Sequence, residues 1–147
     1  MKLQINQVGS LLVYDENLSS WNTVLLEKLK KESNPLLILE HPELLLSIIP
    51  GMTFTKLLSQ LQSLQKHSTL YIVTSTSNSS ILSALLHRSS LIISLTSLTT
   101  GRADDMSGTL SVSKGPAYAL SNFEGLEVAD SEYSYLVTTN NITVFYK

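Results

Sequence analysis

The sequence has no cysteine and few charged residues. Without cysteine, disulfides and thiolate metal sites are excluded. Charged residues make up 15% of the 147 residues, whereas about a quarter is usual. Much of the surface must therefore be formed by uncharged polar side chains or be covered by a partner. The formal net charge of −2 gives no overall electrostatic footprint for nucleic acid, so any RNA contact needs a local patch or a partner subunit.

Targeting and membrane signals are also missing. The first residues lack the apolar core of a signal peptide, and the apolar runs are far shorter than a membrane span. We therefore expect an intracellular protein that does not attach to membranes. A chain of 147 residues is long enough for one domain, residues 1–147, with a substantial hydrophobic core.

The sequence has no phosphate-binding loop of the form G-x-x-x-x-G-K-[ST], and none of its six glycines precedes a lysine. Yet an apolar run at residues 36–39 leads directly into Glu40, as in nucleotide-hydrolysing α/β domains that present a carboxylate to a metal. Only 35 residues, with Gly9 as their one glycine, precede this run. Phosphoryl transfer needs the missing cradle. We therefore expect a non-catalytic subunit without cofactor or metal, whose core lacks the N-terminal phosphate-loop region.

The periodicity of apolar residues predicts helices that alternate with strands, followed by strands alone. This order predicts an α/β fold with a parallel sheet flanked by helices and extended by C-terminal antiparallel strands. A hairpin turn is expected at residues 139–141. The predicted helices are 19/20–32, 44–49, 53–66 and 81–88, and the predicted strands are 36–39, 69–74, 90–95, 109–114, 132–138 and 142–146, with shorter pieces near 118–120 and 126–128.

Glu40 has two interpretations. It is either the relic of a metal-side or water-activating carboxylate, or it caps the following helix, where Glu40 and Glu43 would meet the positive end of the helix dipole. The second interpretation is favoured because there is no phosphate loop to hold a magnesium ion. The three histidines have no ligand-like spacing and are expected at the surface. They are His41, His67 and His87.

A polar loop at residues 101–108 carries Arg102, Asp104 and Asp105. Adjacent carboxylates rarely converge on one ligand, so acid–base catalysis by this pair is not expected. Arg102 could contact a phosphate, pair with a carboxylate of a neighbouring subunit, or be exposed without a function. Five aromatic residues occur late in the chain, and we interpret them as packing between hairpin strands and the sheet, with stacking on bases as the alternative. They are Phe123, Tyr133, Tyr135, Phe145 and Tyr146.

Three segments in register resemble the Elongator complex subunit six family. L-I-L-E-H-P-E-L-L-L-S-I-I-P-G at residues 37–51 is similar to the family's E-x-P-E-L-L-L-S-L-x-x-G. S-L-T-T-G-R-A-D-D-M-S-G-T-L-S-V-S-K-G at residues 97–115 is similar to P-L-x-T-G-x-A-x-D-V-x-G-x-L-x-V-x-R-G-G. The endings E-Y-S-Y-L and V-F-Y-K resemble E-Y-x-Y-L and L-F-Y-R. The resemblance covers roughly residues 35–147.

The resemblance implies a RecA-like, P-loop NTPase-like fold without a working phosphate loop. It also implies assembly with Elongator subunits four and five into a hetero-hexameric ring that binds tRNA and supports modification of wobble uridines. In the family another subunit performs the acetyl-transfer and radical chemistry, so this chain would be accessory. The implied localisation is cytoplasmic and nuclear. On this resemblance, the family's first strand and helices are expected to have no counterpart in residues 1–147.

The candidate functional surface is the loop at residues 99–108, together with Lys114. This loop follows the last predicted parallel strand, where ligands gather in such sheets, and it is expected to contact tRNA or another subunit. Where the family more often has Arg-Gly-Gly, this sequence has Lys114-Gly115-Pro116. A lysine keeps the charge but cannot make the bidentate contact of an arginine, and a proline has no backbone N–H to donate. Two alternatives stay open: action of Glu40 or Arg102 on ATP hydrolysis at a neighbouring subunit, and a plain scaffold without RNA contact. The candidate residues are Gly101, Arg102, Asp104, Asp105 and Lys114, with Glu40 at the relic position.

Overall fold

The computed structural model describes residues 3–6, 10–11, 20–75, 77–98, 106–120 and 131–146. Contacts divide the chain into two compact units, Met1–Ile81 and Leu82–Lys147, which we call the N-terminal and C-terminal units. The prediction of a single domain over residues 1–147 stays a prediction. None of the helices in the described ranges is long and apolar enough to cross a bilayer.

The sheet of the N-terminal unit has the order β2-β1-β3-β4. β3 and β4 are parallel, with Leu36 opposite Thr69 and Glu40 opposite Val73, as predicted for strands separated by helices. β1 runs antiparallel to β3 and β2 and was not predicted, although Leu3 and Ile5 alternate with polar residues. The strands are β1 Leu3–Asn6, β2 Ser10–Leu11, β3 Leu36–Glu40 and β4 Thr69–Val73.

The helices of the N-terminal unit follow their apolar periodicity. Helix α3 begins after Thr53, whose hydroxyl accepts the amide of Lys56 at 3.3 Å and so caps the helix, which agrees with the predicted start at residue 53. Helix α1 ends at Leu29 rather than at residue 32, because the chain turns after Lys30 and Asn34 takes a φ of 53°. The helices are α1 Trp21–Leu29, α2 Leu45–Ile48 and α3 Phe54–Gln65, and a 3-10 turn covers Pro42–Leu44.

The described core lies in the N-terminal unit, where α1 and α3 contact each other. Along β3, Leu37 and Leu39 are fully buried while their neighbours are half-buried. The continuous apolar run is therefore fully buried on one face only, in contrast to the two buried faces typical of a central parallel strand. The buried apolar residues are Trp21, Leu25, Leu29, Leu37, Leu39, Leu45, Ile49, Leu57, Leu61, Leu64 and Ile81.

The C-terminal unit contains a second sheet, with the order β5-β6-β7-β8 and antiparallel pairing throughout. The expectation that the strand at residues 90–95 extends the parallel sheet is wrong for the pairings that the structure describes. The connection between Ser97 and Gly108 is shorter than the dozen or more residues that a parallel crossover needs, so β5 and β6 pair locally and antiparallel. The strands are β5 Leu91–Ser97, β6 Gly108–Lys114, β7 Ser131–Val137 and β8 Ile142–Tyr146.

Of the remaining predictions, those for helix α4 and the hairpin turn agree with the structure better than those for the two short strands. Helix α4, Ser79–Arg88, begins two residues early because the side-chain oxygen of Asn78 accepts the amides of Ser80 and Ile81 at 3.1 and 3.2 Å. The hairpin turn is confirmed, since the Thr138 amide donates to the Asn141 carbonyl at 2.9 Å. Residues 118–120 form a 3-10 turn instead of a strand, and 126–128 lie outside the described residues.

Candidate functional site

The carboxyl ends of the parallel strands β3 and β4 carry a cluster of polar side chains. Glu40 is the last residue of β3 and lies opposite Val73. His41 follows with a left-handed φ of 52°, which costs an ordinary side chain about 1–2 kcal/mol. Its amide donates to the Val73 carbonyl at 2.8 Å. This sharp turn directs the chain into the 3-10 turn that begins at Pro42.

Glu43 is the most constrained member of this cluster. Its Oε1 accepts a hydrogen bond from the Thr74 hydroxyl at 2.8 Å and lies 3.2 Å from Nδ1 of His41. Its Oε2 is buried without a hydrogen-bond partner. From sequence, Glu43 was expected only beside the positive end of a helix dipole, and the contact with Thr74 was not predicted because Thr74 is 31 positions away along the chain. Glu43 fastens the turn after β3 to the end of β4.

Glu40 points away from the fully buried face of β3, because Leu39 beside it is buried and side chains alternate. Its carboxylate is half-buried. The helical segment that follows is short, with three residues in the 3-10 turn and four in α2. His41 rather than Glu40 occupies the capping position. The interpretation that Glu40 caps the following helix is therefore wrong as to the capping residue, and its interpretation as a relic carboxylate stays a prediction.

Lys114 ends β6 and is exposed. Its Nζ lies 5.0 Å from the centroid of the Tyr118 ring, a cation–π distance. The other candidate residues of this surface, Gly101, Arg102, Asp104 and Asp105, lie outside the described residues. Glu40 belongs to the N-terminal unit and Lys114 to the C-terminal unit. The predicted surface around Lys114 therefore stays a prediction.

Gly115, the residue after Lys114, is buried because the segment just before β5 packs against it. Its amide donates to the Ser90 carbonyl at 2.9 Å, and the Ala117 amide donates to the Ser89 carbonyl at 3.0 Å. A Cβ atom added to Gly115 would collide with the backbone of Ser89. The glycine of the Lys-Gly-Pro segment thus has a packing role, and the turn holds Lys114 in a defined position.

Gly108 has a similar role at the start of β6. A Cβ atom here would collide with the Thr96 carbonyl and would lie 2.7 Å from the Tyr135 hydroxyl. The preceding Ser107 donates its amide to the Tyr135 carbonyl at 2.8 Å, and its hydroxyl accepts the Val137 amide at 2.9 Å. The Ser-Gly pair in the family-like motif therefore joins β5, β6 and β7, which is a structural explanation for that part of the motif.

Two of the late aromatic residues pack across the β7–β8 hairpin. The rings of Tyr133 and Tyr146 meet edge to face, with centroids 4.9 Å apart. Hydrogen bonds from Tyr146 and then Ser131 lower the pKa of Tyr133, and the same contact with Tyr133 raises the pKa of Tyr146. The predicted packing between hairpin strands is confirmed for this pair, although Tyr146 is 86% exposed.

The described elements define a mixed α/β protein with a parallel strand pair in one sheet and a separate antiparallel sheet. No family model matches the chain. The chain is 31% identical over 136 aligned residues to Elongator complex protein 6 of Saccharomyces cerevisiae, and the alignment covers 79% of this chain and 50% of that protein. The chain thus spans about half the length of the curated relative it matches. This similarity supports the family assignment made from the three motifs.

Proposed function

We propose that this chain is a non-catalytic subunit of an Elongator complex that supports tRNA modification. The observation that carries the proposal is the 31% identity over 79% of the chain to a protein with that name. The absence of a phosphate-binding loop between residues 1 and 147 supports an accessory role, because phosphoryl transfer needs its amides and lysine.

The finer proposal is a RecA-like core that assembles with Elongator subunits four and five into a hetero-hexameric ring in the cytoplasm and nucleus. The parallel pair β3–β4, connected through α2 and α3, is compatible with such an α/β core. A charged fraction of 15% and a hydrophobic fraction of 43% suit a chain whose surface is partly buried by other subunits, since interface cores are depleted of charge.

Native mass spectrometry tests this assembly. The full chain is co-expressed with Elongator subunits four and five of the same organism, and each pair is prepared in parallel. The expected result is a mixed ring that forms only when all three chains are present. A well-folded chain that forms no complex with either subunit would overturn the proposal.

The ring is proposed to bind tRNA through the loop that contains Arg102, with Lys114 as a second cation. Arg102→Ala should weaken tRNA binding and reduce the slope of log affinity against log salt by about 1, as expected for one lost phosphate contact. Arg102→Lys should keep most of the slope. An unchanged slope for Arg102→Ala in the assembled ring would exclude this contact.

Glu40→Gln tests the alternative of action on a neighbouring ATP site. The substitution removes the carboxylate charge but keeps the size of the half-buried side chain. If the chain is accessory, ATP turnover of the assembled complex should not change. A loss of turnover with assembly intact would favour the alternative in which Glu40 acts in trans.

A further inference from the structure

One face of the C-terminal sheet is mainly apolar, and its polar positions, Ser97, Ser131 and Lys114, lie at strand ends. The strand register places side chains from all four strands on this face, while the other face carries mainly serine and threonine. An antiparallel sheet usually buries its apolar face and exposes its polar face. We call the first the apolar sheet face; its members are Leu91, Ile93, Leu95, Leu110, Val112, Tyr133, Tyr135, Val137, Ile142, Val144 and Tyr146.

The apolar sheet face is exposed to solvent. Leu95 is 64% exposed, Ile142 67% and Tyr146 86%, and three further members are at least half exposed. Together these six side chains present on the order of 600 Å² of apolar surface, the upper end of the largest patch on a typical monomer. A face of this size is more than the scattered apolar residues found on any protein surface.

We propose that the apolar sheet face packs against the same face of a second copy of this chain. Two faces would bury on the order of 1,200 Å² from these six residues alone, the lower limit of a stable interface, and the half-buried members would add to it. A two-fold axis would stack the sheets face to face as in a β-sandwich. This inference does not depend on the Elongator assignment.

The charge distribution favours a second copy of the chain over RNA as the partner that binds the apolar sheet face. In a two-fold contact the same patch meets itself, so like charges would repel. Within the described strands, the one charged side chain in register with this face is Lys114, at the end of β6. The centre of the face is uncharged, so it brings no repulsion to a self-contact. A single cation is too few for the phosphate neutralisation on which single-strand RNA binding depends.

Analytical ultracentrifugation of the full chain over a range of concentrations tests the proposal. Val144→Glu places a carboxylate on the apolar sheet face, and Thr143→Glu places one on the opposite face of the same strand. Both positions are exposed, so both variants should fold. We expect a monomer–dimer equilibrium that Val144→Glu weakens by about 100-fold, because it buries an unpaired charge in the contact, and that Thr143→Glu leaves within about threefold.

A second pair of variants lies on β5, at the opposite edge of the sheet from β8. It distinguishes a dimer that forms through the apolar sheet face from one that forms through a strand edge. Leu95→Glu should weaken the dimer as Val144→Glu does, and Ser94→Glu should not. Circular dichroism of each variant confirms that the fold is intact. A chain that stays monomeric at all concentrations, a dimer that neither face variant weakens, or growth into open-ended aggregates through the strand edges would each overturn the proposal.

The outcome is separable from that of the proposed function, because this experiment contains no other Elongator subunit. The chain could be monomeric alone and still enter the mixed ring, with Val144→Glu abolishing its entry. That result would overturn the self-contact. The apolar sheet face would then be assigned to a different subunit. A dimer without ring assembly would support the self-contact and overturn the proposed function.

Discussion

Replacing Gly115 with alanine should destabilise the C-terminal unit. The added Cβ would lie 2.6 Å from both the carbonyl carbon and the hydroxyl oxygen of Ser89, and still closer to its carbonyl oxygen. The hydroxyl can rotate away, but the backbone of Ser89 cannot move without shifting the end of β6 from the start of β5. The added Cβ therefore collides with main-chain atoms, which cannot move away as a flexible side chain can.

The structure also sets the size of the effect. A shift large enough to relieve the collision stretches two backbone hydrogen bonds, Gly115 amide to Ser90 carbonyl at 2.9 Å and Ala117 amide to Ser89 carbonyl at 3.0 Å. Each contributes about 1 kcal/mol, and overpacking adds about 1–3 kcal/mol. We expect a loss of about 2–4 kcal/mol, a large fraction of the roughly 5–15 kcal/mol that stabilises a typical domain.

Urea unfolding followed by circular dichroism measures this loss, and hydrogen exchange of the amides in β5 and β6 locates it. Gly51→Ala is the matched control, because Gly51 has a left-handed φ of 74° and no atom within 4 Å of an added Cβ. It should cost only about 1–2 kcal/mol, from backbone strain alone. A loss below about 0.5 kcal/mol for Gly115→Ala would refute the collision argument.

Three further substitutions test other parts of the structure. Leu57→Ala, at a position 2% exposed, should cost about 2–5 kcal/mol through the cavity that it leaves; a cost below this range in urea unfolding would mean that the core closes around the site. Thr74→Val removes the hydroxyl donor to Glu43 and should cost about 1–2 kcal/mol, measured by fluorescence of the buried tryptophan; Thr74→Ser should retain most of that stability, and equal losses would exclude the hydrogen bond as the cause. Lys114→Met removes the ammonium group near the Tyr118 ring and should cost at most about 1 kcal/mol by circular dichroism in urea; a larger loss would indicate a structural role beyond this contact.

Features that depend on neighbours along the chain could be predicted from sequence. Apolar periodicity predicted a helix over 53–66, and the structure has α3 there with Thr53 as its cap and with Leu57, Leu61 and Leu64 buried. Both depend on contacts within about one turn. The turn at residues 139–141 followed in the same way from its asparagines, because a short hairpin loop is a local structure.

Features that depend on distant segments could not be predicted. An apolar run identifies β5 as a strand but does not identify its partner, so the expected parallel pairing was wrong and β5 pairs antiparallel with β6. Glu43 looked like a helix-dipole residue until the end of β4 brought Thr74 within 2.8 Å. In the sequence Gly115 is noted only as part of Lys114-Gly115-Pro116, and its contact with Ser89 in the structure explains why no side chain fits there.

The sequence by itself determined the chemistry that this chain lacks and the local elements that it forms. No arrangement in space can supply an absent phosphate loop or an absent thiol, and helical or strand periodicity acts between neighbouring residues. Only the tertiary structure decided that the later strands form a sheet of their own and that one face of it, from Leu95 to Tyr146, is left exposed. Pairing and burial join residues far apart in sequence, and their free energy depends on every segment that competes for the same partner.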